Sequence, residues 1–302
     1  MYAPLIHQPA RELMPLFSPW PVGQWGMDIV GKMPVAPGGF KFLITATDYF
    51  TKWVEAEALV TITEADVIYF VRRNIVTRFG VPFTIITDNG RQFVGQKYLA
   101  FLDQYGIKSS TSTPGYPKGN GQAEAANKAI SSGIKRRLTN RRGKWAEELP
   151  TVLWGYRTTP RRATGRTPYS LAFGMEAVIP IQAGMPTVRR ENFVPSTNSE
   201  AIAADLDLAE EGRENARIKI AAHQEEMARG YNRSVRVRTF KPDDLVIKQV
   251  LEEAKKKKMM PNYTGPYRVV KHLGKGNYRL QEMDGTPVAK TWNACNLRRF
   301  YA

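Results

Sequence analysis

Cysteine is nearly absent. The 302-residue chain has one, Cys295, which excludes an internal disulfide framework and suits a reducing compartment. Histidine is almost as scarce: His7, His223 and His272 are too scattered to build a zinc site with that cysteine. Any metal is therefore expected on oxygen ligands. Long apolar runs are missing too. None approaches the roughly 18 residues needed to span a bilayer, and no secretory signal opens the chain. Acid is in short supply: 28 Asp plus Glu stand against 44 Lys plus Arg, a formal net charge of +16 with pI near 9.9. That balance makes a polyanion the first suspect as partner.

What is present is enough for about two domains with their own cores. Residues 23 to 59 read as three strands, "QWGMDIVGKMP", "KFLITATDYF" and "WVEAEALV", close enough in sequence for an antiparallel meander. "TITEADVIYFVRRNIVTRFG" has helical spacing, with Val67, Phe70, Val71, Ile75 and Phe79 on one face and Gly80 and Pro82 as its stop. The strand "FTIITD", the helix "QKYLAFLDQYG" and the strand "IKSSTST" follow, which together describe an α/β domain with a mixed sheet. "PGYPKGNGQ" is a loop, and the helices "AEAANKAISSGIKRRL" and "KWAEELPTVLWGYRTT" come next. Thr167 and Pro168 mark a short capped helix in "RTPYSLAFG". A linker is expected from 175 to about 198. Between 199 and 230 a heptad-like stripe, interrupted by Arg213 and His223, fits either a lone packed helix or a self-associating coiled coil. The last stretch is a run of short alternating strands that predicts a small β-barrel.

Three carboxylates stand out. Asp28 lies mid-strand in "WGMDIV", where aspartate is disfavoured. Asp88 ends the fourth strand of "IITDNGRQF", and Glu124 opens the helix after the glycine-rich loop. Taken singly, Asp88 also reads as an ordinary turn aspartate and Glu124 as a first-turn acid that complements the helix dipole. In a sheet ordered 3-2-1-4-5, however, Asp28 and Asp88 become neighbours and the helix carries Glu124 over them. Such a cluster repels itself unless divalent cations bridge it. Hard oxygen ligands favour Mg²⁺ or Mn²⁺, and two ions about 3.5–4 Å apart suit in-line displacement at a phosphodiester.

Asp88 and Glu124 are separated by 35 residues, with Asp28 upstream. This spacing resembles the D,D-35-E signature of retroviral and long-terminal-repeat retrotransposon integrases. The strings "WGMDIVG", "ATDYFTKWVEAEA", "TDNGRQF", "GYPKGNGQAEAANK" and "LWGYRTTPRRATGRTPYSLAFGMEAVIP" resemble the integrase of plant Ty3/gypsy elements, over nearly the whole chain. The resemblance implies an RNase H-like catalytic core at 21–180, a linker and helix at 181–234, and an SH3-like or chromodomain-like DNA-binding barrel at 235–302. It implies that Asp28, Asp88 and Glu124 bind the catalytic Mg²⁺ ions for 3′-end processing and strand transfer of DNA, in a homo-oligomer acting in the nucleus. The opening "MYAPLIHQPA" resembles the segment after the last cysteine of the family's zinc-binding domain, so residues 1–20 are expected to be a remnant beyond a missing domain.

On the helix of Glu124, Asn127, Lys128 and Lys135 lie three, four and eleven positions on, near one face, where they are candidates to hold DNA phosphates. Gln122 is a candidate to order water or a phosphate oxygen, and Tyr116 to meet an unstacked base. Further basic groups, "KRRLTNRRGK", "YRTTPRRATGR", "NRSVRVR", "KKKK" and "NLRRFY", each read singly as solubilising surface and, together with a phosphodiester-cleaving core, as candidates for a DNA track largely indifferent to base sequence. Two other readings stay open: an inactive DNA-binding remnant of a decayed element, and a ribonuclease H on the same fold.

Overall fold

A computed structural model describes residues 18–88, 90–111, 121–138, 144–178, 194–233, 239–250, 263–273, 277–288 and 291–301. The chain divides into two compact units, one of Leu16–Gln224 and one that includes Glu225–Ala302.

The first unit is built on a five-stranded mixed sheet. Strands β1 (Gln24–Gly31), β2 (Phe42–Asp48) and β3 (Val54–Leu59) form the antiparallel meander. β4 (Thr84–Thr87) runs parallel to β1, and β5 (Lys108–Thr111) parallel to β4. The order β3-β2-β1-β4-β5 meets the condition under which Asp28 and Asp88 become neighbours. Between β3 and β4 the chain turns helical at a capping box: Thr63 Oγ1 accepts from the Asp66 N–H at 3.2 Å, and Asp66 Oδ2 accepts from the Thr63 N–H at 2.8 Å. Helix α1 (Glu64–Phe70) then runs through a π-helical turn, Val71–Val76, into α2 (Thr77–Phe79) and stops at Gly80, whose φ of +89° suits glycine. The π turn has no counterpart in the apolar spacing. Within it Asn74 is buried and donates to Glu57 at 3.0 Å. After the short α3 (Arg91–Val94), α4 (Gln96–Gln104) receives its N-terminal cap from α1: Glu64 Oε2 accepts from the Lys97 and Tyr98 N–H groups at 3.1 and 3.3 Å.

The sheet separates two apolar clusters. On one face Trp25, Met27, Ile44, Val67, Phe70 and Phe93 pack together, all fully buried. Each such side chain contributes about 1.5–3 kcal/mol relative to exposure. On the other face Leu43, Val54, Ile130, Trp145 and Leu149 join the sheet to α5 (Gly121–Arg137) and α6 (Trp145–Arg157). The two helices approach closely at Gly133, where a Cβ would come 2.8 Å from Val152 Cγ1. At the edge of the first face Glu55, 2% exposed, takes Arg157 at 2.9 Å, Arg78 at 3.0 Å and the Trp53 indole N–H at 2.8 Å. The Arg157 guanidinium also lies 4.4 Å from the centroid of the Trp53 ring, so this buried acid is fully compensated.

Helix α7 (Pro168–Phe173) starts as its sequence indicates, with Thr167 Oγ1 accepting from the Ser170 N–H at 3.0 Å and Pro168 in the first turn. The heptad-like stripe falls on α8 (Asn198–Asn232). Its centre packs: Ala216 and Ile220 are buried, and Arg213, which breaks the apolar pattern, donates to the carbonyls of Leu171 and Ala172 at 3.2 and 3.5 Å. Those are carbonyls at the end of α7, where no helical donor remains for them. Ile202, Leu206 and Met227 stay exposed, so the stripe is not one continuous buried seam. Residues 179–193 of the expected linker lie outside the described residues.

The second unit carries a five-stranded antiparallel sheet, β6 (Leu245–Gln249), β7 (Tyr263–His272), β8 (Asn277–Gln281), β9 (Trp292–Asn293) and β10 (Leu297–Arg299), in the order β10-β6-β7-β8-β9. Its core holds Phe240, Val246, Val269, Tyr278, Leu280 and Leu297. Lys248 stands 4.2 Å from the ring centroid of Tyr267, and Arg298 stands 4.6 Å from that of Tyr263, which places two of its cations on aromatic faces. The "KKKK" run lies outside the described residues.

Candidate active site

Side chains alternate along β1, so Trp25 and Met27 enter one apolar cluster while Asp28 turns to the face covered by α5. There Asp28 is held from both sides: Oδ1 accepts from the Ile29 N–H and Oδ2 from Asn127 Nδ2, each at 2.8 Å. Asn127 is 6% exposed, and its own carbonyl accepts from Thr45 Oγ1 at 2.6 Å. Thr45 lies opposite Asp28 in the β1–β2 ladder. Because Thr45 donates to the amide oxygen, the amide NH₂ must face Asp28.

In the parallel pairing, Gly26 is opposite Ile86. Two residues further on, the same register brings Asp28 level with Asp88, just past the last bonded pair. Asp88 is exposed, and its Oδ1 accepts from the Gly90 N–H at 3.0 Å. This Asx turn fixes one oxygen and leaves the other outward. Glu124 is exposed in the first turn of α5. The Asp28 carboxyl is held above the usual aspartate range, first by burial and then by the charges of Asp88 and Glu124, against the hydrogen bonds from Ile29 and Asn127. Tyr49 reports the same field. Its ring lies against β1 at Gly26, where a Cβ would come 2.4 Å from it, and its phenol is pushed up by burial, then by Glu124 and Asp28.

The donor set is all oxygen, as a hard divalent cation prefers, and it gathers negative charge that a cation would relieve. Yet among the described residues no three Asp, Glu, His or Cys side chains converge closely enough to hold a metal ion as they stand. Asp28 and Asp88 are neighbours and Glu124 is within electrostatic reach, but the three do not form a closed ligand cage.

Of the other sequence candidates, Lys128 and Lys135 are exposed on the Glu124 side of α5. Asn127 is committed to Asp28 and Thr45 and does not face solvent. Gln122 is half-buried, with Oε1 accepting from Lys52 Nζ. Tyr116 lies outside the described residues. Thr45, Tyr49 and Lys52 were not among the candidates. All lie on β2 or its following turn, and only the sheet order could have brought them to Asp28.

Comparison with known proteins bears on this arrangement. Residues 19–117 match the model of the integrase core domain. A solved simian T-cell lymphotropic virus intasome, in complex with a PP2A regulatory subunit, superposes with a TM-score of 0.55 over 98% of this chain and 86% of that one, at 15% identity. The fold is that of an RNase H-like integrase core. Among curated proteins, the Gag-Pol polyprotein of avian reticuloendotheliosis virus is 27% identical over 83% of this chain, and a Schizosaccharomyces pombe Tf2-3 transposon polyprotein is 22% identical over 97% of it. These likenesses support a retroviral-type integrase. The chain spans about a tenth to a fifth of the length of the first such relatives. Residues 240–301 match a domain of unknown function, DUF8803.

Proposed function

We propose that the chain is the integrase of a Ty3/gypsy-type long-terminal-repeat retrotransposon, acting in the nucleus as a homo-oligomer on the element's DNA ends and on target DNA. The observation that carries this reading is Asp28: a half-buried carboxylate, locked by Asn127 and the Ile29 N–H, level with Asp88 and in the field of Glu124. Structural acids are seldom placed to raise one another's pKa, whereas metal-dependent sites need that crowding.

Asp28, Asp88 and Glu124 are the residues to hold Mg²⁺ or Mn²⁺, two ions in the usual arrangement for phosphodiesters. When bound, such ions activate the attacking oxygen and stabilise the leaving one. The protein's own part is orientation. Asn127 and the Ile29 N–H fix the rotamer of Asp28, and the Gly90 N–H fixes that of Asp88. Lys128, one turn from Glu124, and Lys135 beyond it offer point charges to DNA phosphates along α5. Water serves as nucleophile for end processing, and the 3′-hydroxyl it leaves serves for strand transfer. Both are in-line displacements at one centre.

A second reading, a DNA-binding remnant without chemistry, draws on the same acids failing to converge among the described residues. Strand transfer decides between the two: a labelled duplex with a recessed 3′ end, a supercoiled target, Mg²⁺ or Mn²⁺, and an Asp88→Asn control. Joined product that disappears in the control supports the integrase; retained DNA binding with no product supports the remnant.

A further inference from the structure

Lys52, in the turn between β2 and β3, has a φ of +62°. In this left-handed conformation the Cβ crowds the backbone, and glycine is the usual occupant. A long cationic side chain here sits on a strained backbone, so its contacts are informative. Its Nζ donates to the Tyr49 carbonyl at 2.6 Å and to Gln122 Oε1 at 2.5 Å. Tyr49 is the residue whose ring packs on β1 at Gly26, two positions before Asp28. Gln122 lies in the first turn of α5, two positions before Glu124. The ammonium therefore ties the turn after β2, whose Tyr49 ring packs on β1, to the helix end that carries Glu124.

The N–H groups of a helix's first turn have no intrahelical acceptors, and that turn frays unless tertiary contacts anchor it. Further along α5, Ala123, Ala126 and Ile130 are buried, while Glu124 itself is exposed on the open side. We propose that Lys52 is a positioning residue: through Gln122 it latches the first turn of α5 to the sheet and so sets the place of Glu124 relative to Asp28 and Asp88. Its effect on catalysis rests on the integrase reading above; the latch itself does not. Burial lowers the Lys52 pKa to about 8, with the charge of Asp48 acting the other way.

The strained backbone supplies the test. Lys52→Gly removes the latch and the strain together; Lys52→Met removes the latch and keeps the strain. In the full chain, hydrogen exchange at the Ala125, Ala126 and Asn127 amides, which bond back into the first turn, is expected to quicken about tenfold in Lys52→Met, Lys52→Gly and Gln122→Met. The Lys52→Met/Gln122→Met double variant should be no faster than either single one. Strand transfer should lose about tenfold in kcat with the KM for DNA unchanged, Lys52→Arg should recover part of it, and Lys52→Gly should melt no lower than wild type. Unchanged exchange at these amides, or single-variant effects that multiply in the double variant, would overturn the proposal. If wild type makes no joined product, the integrase reading fails, and exchange alone then decides the latch.

Discussion

Met27 and Asp28 are adjacent on β1 and face opposite sides of one sheet. Met27 is fully buried among Trp25, Ile44, Val67 and Phe70. Asp28 meets Asn127, Thr45 and a helix whose apolar contacts begin only at Ala123 and Ala126. The first face is closed by the helices around β4 and is apolar at its centre, with its buried polar groups, Glu55 and Asn74, paired at the β3 edge. The second is apolar where α6 covers it and turns polar where β1 and β4 run out of hydrogen-bonded partners. Packing and the candidate site are thus divided between the faces, and the acids gather where the second core ends. Carboxylates there keep access to solvent and still feel a low-dielectric wall, whose desolvation is the first cause of the raised Asp28 pKa, with the charges of Asp88 and Glu124 adding to it.

Asp88→Asn should break the chemistry and spare the fold. Strand transfer is expected to fall below detection while the melting temperature holds, because the Asp88 side chain is exposed and an asparagine Oδ1 can still accept from Gly90. A stability loss as large as that of a core variant would erase the contrast between the faces. Met27→Ala should do the reverse. A cavity among closely packed side chains costs about 2–5 kcal/mol, read by chemical denaturation, with activity per folded molecule retained. Asn127→Ala is expected to fall between them. It removes the donor to Asp28 Oδ2 and leaves the Thr45 hydroxyl only the Asp28 carbonyl, at 3.3 Å. Loss of an outer partner of this kind lowers metal affinity or activity by about 10–100-fold, and an unpaired buried polar group costs about 1–3 kcal/mol. Both readouts must move; a change in one alone would assign Asn127 wholly to one side of the division.

The division was only partly legible in the sequence. Apolar spacing sufficed for the meander and the mixed sheet, which leave few topologies; the order 3-2-1-4-5 entered as a condition, and the structure meets it, which puts Asp28 beside Asp88. The cap at Thr167 was equally plain, since serine, threonine and proline act locally. What escaped was long-range. Asn127 looked like part of a DNA-facing stripe with Lys128, because i+3 and i+4 positions share a helix face, yet that face has an edge, and 127 lies on the buried side of it. Arg213 looked like a flaw in a heptad and is instead a donor to carbonyls of α7. Lys52 gave no signal, since its value depends on a backbone dihedral and on an acceptor at Gln122, far away in sequence.

The smallest expected effect concerns charge. The Asp28 pKa is raised above the ordinary 3.8, so the folded chain binds that proton more tightly than the unfolded one. Stability is then lost as pH rises from about 3.8 through the folded value, and the deficit persists at neutral pH. Burial is the first cause and the charges of Asp88 and Glu124 are lesser ones. Removing Asp88's charge should therefore recover only part of the deficit. At pH 7 and low salt, without metal, Asp88→Asn is expected to melt about a degree above wild type, and the two curves should converge as Asp28 protonates. Mg²⁺ should relieve the same repulsion by binding the folded state, raising the melting temperature of wild type and leaving Asp88→Asn nearly unmoved. Equal Mg²⁺ shifts in the two proteins would mean that Asp88 does not share a metal with Asp28. The crowding of acids at the end of the second core would then be electrostatic strain without a cation to justify it.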